Sequence, residues 1–365
     1  MGFTRLRILA GVLVTCLLIW IGYFVYNQPR VPNLPQPPLK VLAANHHIEL
    51  GNFAIYNYLN VKPYTAILTS QFNLALIDNT PNWYFTGGGL RPSPTTYNFQ
   101  QMDQIVKFAE DNHMAIQAHH LVWGEQKWLP NWLKNGHYSP NQLLNIMHSD
   151  ILTVAGRYQG KVKEWSVVNE AFTREQHIYG LRDWWADNIG NDSYISDAFI
   201  WAHQADPSAV LILNDFDDQT QNPVSDAMYN YIKTAKANGV PIDGIGMQMH
   251  LDGTHPPSQS AVVANMRRFA QIGVMTYVTE FDVNMSGVKA SAQIKDQKEA
   301  AIYYDMTRAC IESGSCPSFS ILGVTDKETW YNYLGTAPNA RPLPFDEEYK
   351  PKPAFYALRL ALSQP

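Results

Sequence analysis

Residues 164–172 read EWSVVNEAF, an apolar run of strand type that ends on an amide and a carboxylic acid, Asn169 and Glu170. Similar runs recur between residues 41 and 365, and amphipathic helical patterns separate several of them. Eight alternations of strand and helix predict a single (β/α)8 TIM barrel, an α/β fold. The predicted strands are NFAIYNY (52–58), FNLALID (72–78), AIQAHHLVW (115–123), VKEWSVVNE (162–170), AVLILND (209–215), DGIGMQMHL (243–251), MTYVTEFDV (275–283) and FSILGVTD (319–326).

Polar residues stand at or just beyond the carboxyl ends of most of these strands. In a barrel of parallel strands those ends meet at one face, where active sites are built. We therefore expect Glu170 to end its strand because that end faces a cleft. The polar strand-end residues are Asp78, Asn79, His119, His120, Asn169, Glu170, Asn214, Asp215, Gln248, His250, Glu280, Asp282 and Asp326.

The composition narrows the class of ligand. Only 16% of the 365 residues are charged, the formal net charge is -5, and Lys and Arg are scattered. The chain therefore offers no obvious face for nucleic acid. It also has 10 Trp and 20 Tyr, more than a core requires. Part of this set must serve ordinary packing, but aromatic rings with polar edges are also good platforms for sugars.

Two of the strand-end acids form a candidate catalytic pair. Glu170 follows the fourth predicted strand and Glu280 the seventh, so they can face each other across the barrel mouth. Glycosidic bond hydrolysis needs two carboxyl groups, one to protonate the leaving oxygen and one to attack the sugar or activate water. The alternative is a structural ion pair at each position. The pairs His46–His47 and His119–His120 lack further ligands at metal-site spacing, so we expect neither a metal nor a cofactor.

The strand-end motifs, taken in order, resemble those of glycoside hydrolase family 10, the retaining endo-β-1,4-xylanases. The similarity extends from about residue 48 to residue 360, and the spacing of the motifs agrees with the family. It implies a barrel fold and hydrolysis of β-1,4-linked polysaccharides. The motifs are HHLVWGEQ (119–126), EWSVVNEAF (164–172), LILNDFD (211–217), DGIGMQMHL (243–251), TYVTEFDVN (276–284) and GVTDKETW (323–330).

The resemblance implies catalytic roles position by position. Glu170 matches the family's acid/base, and Glu280 matches its nucleophile. Asn169 matches the amide that holds the sugar's 2-hydroxyl and the nucleophile. Gln248 matches a polar partner near the acid/base.

Further positions match residues that support the nucleophile or bind substrate. His250 matches the imidazole that hydrogen-bonds the nucleophile, and Asp282 matches the carboxylate behind it. The remaining matches are to substrate-binding residues of the family. They are Asn79, His119, Trp123, Gln126 and Trp330.

Three positions depart from the family pattern. Asn82 stands where members carry a Lys, Gly124 where they carry a His, and Leu322 where they carry a Trp. All three fall in the subsites for the glycone, the part of the substrate on the nonreducing side of the cleaved bond. The departures predict a weaker grip on unsubstituted xylose units and space for a bulkier or decorated glycone.

The sequence thus predicts a retaining endo-β-1,4-xylanase that cleaves internal bonds of xylan by double displacement. One alternative keeps the mechanism but changes the glycone to a decorated or non-xylan sugar. Another is a catalytically inactive carbohydrate-binding protein. We expect a polysaccharide partner, no nucleic acid, and a monomer.

Two cysteines lie close together near the end of the chain. Cys310 and Cys316 flank the segment IESGS, in which Gly314 can supply a bend. A disulfide would close this short loop, whereas a reducing compartment would keep two free thiols. The family resemblance favours the disulfide, because many members carry a short bridge before the eighth strand.

The N-terminus predicts a membrane anchor. Arg5 and Arg7 precede an uncharged stretch at residues 8–27, and roughly 20 apolar residues suffice to cross a bilayer. Its exit, WIGYFVYN, is bulkier than a cleavage site, so we expect residues 1–27 to stay as an anchor. Residues 28–40 then form a Pro-rich linker, and residues 41–365 form the catalytic barrel outside the cytoplasm. The alternative is a secreted protein released by signal cleavage.

Overall fold

The structure, a computed structural model, describes residues 31–77, 89–175 and 183–365. Eight parallel strands pair in succession and close into a barrel, which confirms the predicted fold. The pairing of β6 with β8 closes the ring, and the short β7 adds to the outer end of β8. The strands are β1 (Glu49–Phe53), β2 (Leu74–Ile77), β3 (Ala115–Trp123), β4 (Glu164–Asn169), β5 (Val210–Asp215), β6 (Gly244–Met247), β7 (His250–Asp252), β8 (Met275–Asn284) and β9 (Ser318–Ile321).

The helices of the described ranges surround this barrel. The longer ones are amphipathic and bury one face against the strands, as the periodicity of their apolar residues predicts. They are α1 (Leu39–Ala44), α2 (Lys62–Gln71), α3 (Gln100–Asp111), α4 (Asn131–Lys134), α5 (Pro140–Arg157), α6 (Ala171–Glu175), α7 (Trp184–Ile189), α8 (Ser193–Ala205), α9 (Pro223–Ala237), α10 (Gln259–Ala270), α11 (Ala292–Ser313), α12 (Trp330–Leu334) and α13 (Pro353–Ser363).

The strands are nearly continuous apolar runs because both of their faces are covered. β2 and β4 are buried at every position, which is typical of parallel strands between a barrel interior and an outer layer of helices. Helix starts are also encoded locally. Ser139 and Gln142 form a reciprocal capping box at the start of α5, with Pro140 in its first turn.

The first predicted strand is misplaced. β1 is Glu49–Phe53 rather than 52–58, and residues 56–58 form a short 3-10 turn. The Tyr64 hydroxyl donates to the Phe53 carbonyl and accepts the Ile55 N–H at 3.0 Å. Because a side chain takes these backbone groups, the strand ends early.

The sixth predicted strand is divided. The run 243–251 splits into β6 and the beginning of β7, separated by Gln248 and Met249. Met249 adopts a left-handed backbone with φ of 57°, which breaks the extended conformation. The break turns the chain where it delivers Gln248 and His250 to the barrel mouth.

The predicted disulfide is confirmed. Cys310 lies near the end of α11, and Cys316 lies just before β9. Gly314 ends α11 in the left-handed region with φ of 67°, where glycine avoids the steric cost of a side chain. The bridge therefore ties the last long helix of the barrel to the strand that follows it.

The whole predicted anchor, residues 1–27, and residues 28–30 of the linker lie outside the described residues. Within the described ranges, which begin at residue 31, no helix is long and apolar enough to span a bilayer. α1 crosses the predicted boundary between linker and barrel, and Leu39 is fully buried. The Arg359 guanidinium donates to the carbonyls of Gln36 and Pro37, so this end of the linker packs on α13.

Candidate active site

The two predicted catalytic acids lie at the same mouth of the barrel. Glu170 follows β4 directly, and Glu280 lies in the outer half of β8. Both side chains are largely buried, with 9% of Glu170 and 6% of Glu280 exposed. Burial of two carboxyls at one end of a barrel is costly unless each is hydrogen-bonded, so their partners define what each group can do.

Nitrogen atoms of three side chains surround the carboxylate of Glu280. Asn214 Nδ2 donates to Oε1 at 2.9 Å, and His119 Nε2 lies 3.3 Å from the same oxygen. His250 Nε2 lies 3.4 Å from Oε2. Burial opposes ionisation of Glu280, but the two imidazoles and the amide outweigh it and lower the pKa of this carboxyl. Glu280 is therefore held as a carboxylate.

His250 is itself held by a second carboxylate. Its Nδ1 lies 3.1 Å from Asp282 Oδ2, and Asp282 also accepts hydrogen bonds from Trp330 Nε1 at 2.7 Å and Tyr331 Oη at 3.1 Å. Burial disfavours a charged imidazole, but Asp282 and Glu280 outweigh it and raise the pKa of His250 to about 10. These contacts favour the imidazolium form of His250.

Glu170 has neutral hydrogen-bond donors. Trp123 Nε1 donates to its Oε2 at 2.6 Å, and Gln248 Nε2 donates to its Oε1 at 3.1 Å. These two hydrogen bonds hold the carboxyl group in place. The two acids of the pair thus have chemically different surroundings.

A chain of amides connects the two acids. Asn169 Oδ1 accepts from Gln248 Nε2 at 3.2 Å and from Asn214 Nδ2 at 2.8 Å. Gln248 also binds Glu170, and Asn214 also binds Glu280. Since both bonds use its oxygen, the amide nitrogen of Asn169 is not used by either partner.

The backbone at Glu170 is unusual, and Asp215 supports it. Glu170 has a left-handed conformation with φ of 58°, which a non-glycine residue adopts at some cost. The Asp215 carboxylate accepts the next backbone N–H groups, from Phe172 at 2.8 Å and Thr173 at 3.2 Å. Burial is the main cause that raises the pKa of Asp215 to about 7.

Asn214 and Asp215 support the site although the sequence indicates only that they are polar residues at a strand end. Asn214 Oδ1 accepts from Thr279 Oγ1 at 2.7 Å, which orients its amide nitrogen toward Glu280. The position of these two residues at a strand end was the only signal in the sequence, and it correctly indicated that they lie at the site. It could not indicate the direction in which each side chain points.

Other predicted substrate-binding residues are placed less closely. The Trp330 ring lies 5.2 Å from the ring of His250, the histidine that contacts Glu280. Gln126 is exposed on a short 3-10 turn after β3. Asn79 and Asn82 lie outside the described residues, so their predicted roles are untested.

The space expected at Gly124 is absent. A Cβ on residue 124 would overlap Asp183 Oδ1, because the Asp183 carboxylate packs directly against this glycine. Leu322 is buried, with 6% of its surface exposed. The predicted opening therefore does not exist at Gly124, where another side chain of this protein fills the volume.

The fold and the two differently supported acids define a class of protein, the (β/α)8 glycoside hydrolases. The chain belongs to one family of that class: the sequence model described as Glycosyl hydrolase family 10 matches residues 38–361. This confirms the predicted family, and the protein is an enzyme of the glycoside hydrolase type.

Named relatives and solved structures agree with this assignment. The chain is 35% identical over 329 residues to endo-1,4-beta-xylanase B of Thermotoga neapolitana, a match that covers 88% of this chain and 90% of the relative. It is 32% identical to a beta-1,4-xylanase of Dictyoglomus thermophilum, over 95% of this chain and 97% of that one. Native xylanase 10B from Thermotoga maritima superposes with a TM-score of 0.81 at 34% identity, over 89% and 98% of the two chains. Xylanase 10B from Thermotoga petrophila, solved with xylobiose, gives 0.82 at 33% identity, over 91% and 98%.

Proposed function

We propose that this protein is a retaining endo-β-1,4-xylanase in which Glu280 is the nucleophile and Glu170 the acid/base. The observation that carries the proposal is the difference between the two acids. Glu280 faces the imidazoles of His119 and His250, whereas the indole of Trp123 and the side-chain amide of Gln248 donate hydrogen bonds to Glu170. A nucleophile must be ionised, and an acid/base must be able to hold and release a proton.

The first step forms a covalent intermediate. A Glu280 oxygen bonds to the anomeric carbon as the bond from that carbon to the leaving sugar oxygen breaks. The proton of Glu170 passes to that oxygen, so the leaving sugar departs as an alcohol. Trp123 and Gln248 hold Glu170 in position for this transfer.

The second step releases the sugar. Water attacks the anomeric carbon, Glu170 takes its proton, and the ester bond to Glu280 breaks. Two displacements at one carbon give net retention of configuration. Asn169 would donate to the 2-hydroxyl of the sugar, and Trp330 would provide an aromatic face beside His250.

Xylan is the proposed substrate because of the relatives. Those with 35% and 32% identity are named as xylanases, and one solved relative is described in complex with xylobiose. A decorated or non-xylan glycone is the second candidate. This candidate rests on two of the three departures from the family pattern, Leu322 and Asn82. The third, Gly124, opens no space because Asp183 fills it.

A hydrolysis screen with product analysis tests this proposal. The substrates are plain xylan, decorated xylans and β-glucans, each compared with the Glu280→Ala variant. We expect internal cleavage of xylan that is lost in the variant. A preference for one decorated glycan would support the second candidate, and binding without turnover of any substrate would indicate an inactive carbohydrate-binding protein.

We further propose that the enzyme acts outside the cytoplasm, tethered by residues 1–27 through a linker at 28–40, with a monomeric barrel at 41–365. The positive charges before the apolar stretch support this orientation. The disulfide between Cys310 and Cys316 also supports it, because disulfides persist in oxidising compartments. Secretion after signal cleavage is the alternative.

A further inference from the structure

The start of α7 holds the backbone that carries Trp123. Trp185 Nε1 donates to the Trp123 carbonyl at 3.1 Å, and the Trp184 N–H donates to the Gly124 carbonyl at 3.0 Å. Two consecutive carbonyls at the end of β3 are therefore bound by two consecutive residues of α7. We call Asp183, Trp184 and Trp185 the α7 clamp.

The clamp is held by its own buried contacts. Asp183 Oδ1 accepts the Trp185 N–H at 3.0 Å and so caps the helix, while Asp183 Oδ2 accepts the hydroxyl of Tyr194 on α8. Asp183 is 5% exposed and Trp185 is 1% exposed. The Asp183 carboxylate occupies the volume that a side chain at residue 124 would need. The clamp therefore requires glycine at this position.

Trp123 connects the clamp to the reacting groups. Its indole N–H donates to Glu170 Oε2 at 2.6 Å, and the His120 ring packs edge-on against the indole at 4.9 Å. The direction of that N–H depends on where the Trp123 backbone lies. A displacement of a few tenths of an ångström at the carbonyl would carry over to the hydrogen bond on Glu170.

We propose that the α7 clamp is a positioning device for the acid/base, acting through Trp123. Trp185 and Asp183 act on the Trp123 segment rather than on Glu170 directly. They fix the backbone of Trp123, whose indole holds the Glu170 carboxyl in line with the leaving oxygen. This inference rests on the proposed role of Glu170 as acid/base.

The test uses the dependence on leaving group. Trp185→Phe removes the indole N–H but keeps an aromatic ring in the buried site. A misplaced acid slows the departure of a sugar, which needs protonation, but not the departure of dinitrophenolate, which does not. We expect kcat/KM for xylotetraose to fall about tenfold, part of the roughly 100-fold or greater contribution of a general acid. For dinitrophenyl β-xylobioside it should stay within about twofold, since that first step needs no proton.

Two further variants guard against a trivial result. Tyr194→Phe removes the hydroxyl that holds Asp183 and should give the same selective loss, even if Trp185→Phe folds poorly. Trp201→Phe is the matched control, because this half-buried tryptophan on α8 packs against His148 away from the clamp. Trp201→Phe should leave kcat/KM unchanged for both substrates.

Equal losses on the two substrates in both clamp variants, or no loss on either, would overturn the inference. Glu170→Ala is assayed in parallel to separate the two claims. If Glu170→Ala loses kcat/KM for xylotetraose much more than for the dinitrophenyl substrate, and the clamp variants do not, the inference about the clamp is wrong and the proposed function stands. If Glu170→Ala lowers kcat/KM equally for both substrates, Glu170 is not the acid/base.

Discussion

At the scale of single residues, the same amino acid has two tasks because its neighbours differ. Glu280 lies among two imidazoles and an amide, and these lower the pKa of a buried carboxyl that would otherwise resist ionisation. Glu170 accepts hydrogen bonds from an indole and an amide, which orient it. The division of labour that we propose, with Glu280 as nucleophile and Glu170 as acid/base, rests on these contacts.

The role of Glu170 predicts a selective defect. Glu170→Ala should lose activity on xylan by about 100-fold or more, because a sugar leaving group needs a proton. It should retain much of the first step on dinitrophenyl glycosides. Azide should restore turnover of these activated substrates, since it replaces the water that Glu170 would activate. Steady-state rates with and without azide check this, and equal loss on both substrates without rescue would exclude Glu170 as the acid/base.

The contacts of His250 predict a change in pH dependence. Glu280 must be ionised to attack, and His250 is one of the groups that lower its pKa. His250→Gln should therefore raise that pKa and move the acid limb of kcat/KM to higher pH. A hydrogen bond between charged groups is worth about 1.5–3 kcal/mol, so the shift should be about one pH unit or more.

The matched control for this profile is His255→Gln, which changes an exposed histidine on the loop after β7. The acid limb should stay where it is in that variant. An unchanged acid limb in His250→Gln would show that His250 does not assist the ionisation of Glu280.

Residue identities at the site were predictable from the sequence, whereas their contacts were not. Glu170 and Glu280 could be found because an ionisable group at the end of an apolar strand is costly without a purpose. Gly124 could not be interpreted correctly. The side chain that fills its volume is Asp183, which is distant in sequence and becomes adjacent only when α7 packs on β3.

At the scale of elements, one strand carries an acid at each end. β4 begins at Glu164 and leads to Glu170, and the surroundings of the two carboxyl groups differ. Glu164 is buried at the opposite end of the barrel, where Ser318 Oγ donates to its Oε2 at 3.1 Å. Burial and the nearby charge of Glu49 raise the pKa of Glu164 from 4.5 to about 8.

This raised pKa predicts that Glu164 weakens the fold at alkaline pH. Between pH 4.5 and about 8 the folded state keeps a proton that the unfolded chain has lost, so stability falls as pH rises. Glu164→Gln should remove this dependence. Relative to wild type, its free energy of unfolding should increase by roughly 1 kcal/mol for each pH unit in that window.

Urea unfolding at pH 5 and pH 8 measures the effect. Glu110→Gln serves as a control, because Glu110 is an exposed glutamate paired with Lys161 on the surface. If the wild type and Glu164→Gln lose stability in parallel from pH 5 to pH 8, Glu164 does not stay protonated in the folded protein.

The number of barrel strands was easier to predict from the sequence than the residues at which each strand begins and ends. Eight strands follow from eight apolar runs, because parallel strands buried on both faces leave a strong signal in the sequence. The errors at β1 and β7 arise where a side chain or a left-handed residue interrupts the backbone ladder, at Tyr64 and Met249. Neither interruption changes the hydrophobic pattern, so the pattern could not reveal it.

At the scale of the whole molecule, barrel closure creates the site. The pairing of β6 with β8 joins two neighbouring strands of the barrel, which places Gln248 and Glu280 at one mouth. The linker end at Gln36 and Pro37 packs on α13 through Arg359, so the chain leaves the barrel from that helix.

The proposed anchor makes a prediction at this scale. Full-length protein should stay with membranes through a carbonate wash, because a spanning helix is not removed by loss of charge contacts. A chain of residues 41–365, which lacks Leu39 and Lys40 of α1, should be recovered soluble and active. A soluble form that begins near residue 28 would instead indicate a cleaved signal.

The central claim is that Glu280 forms a covalent bond to the sugar while Glu170 transfers protons. The most direct test is to trap that intermediate with a dinitrophenyl 2-deoxy-2-fluoro-β-xylobioside and map the label by mass spectrometry. Trypsin separates the two acids, because Glu170 falls in peptide 164–174 and Glu280 in peptide 269–289. We predict that the label lies on peptide 269–289 and that fragmentation places it on Glu280 rather than Asp282. A label on peptide 164–174, or no label together with an inverted first product, would contradict the account.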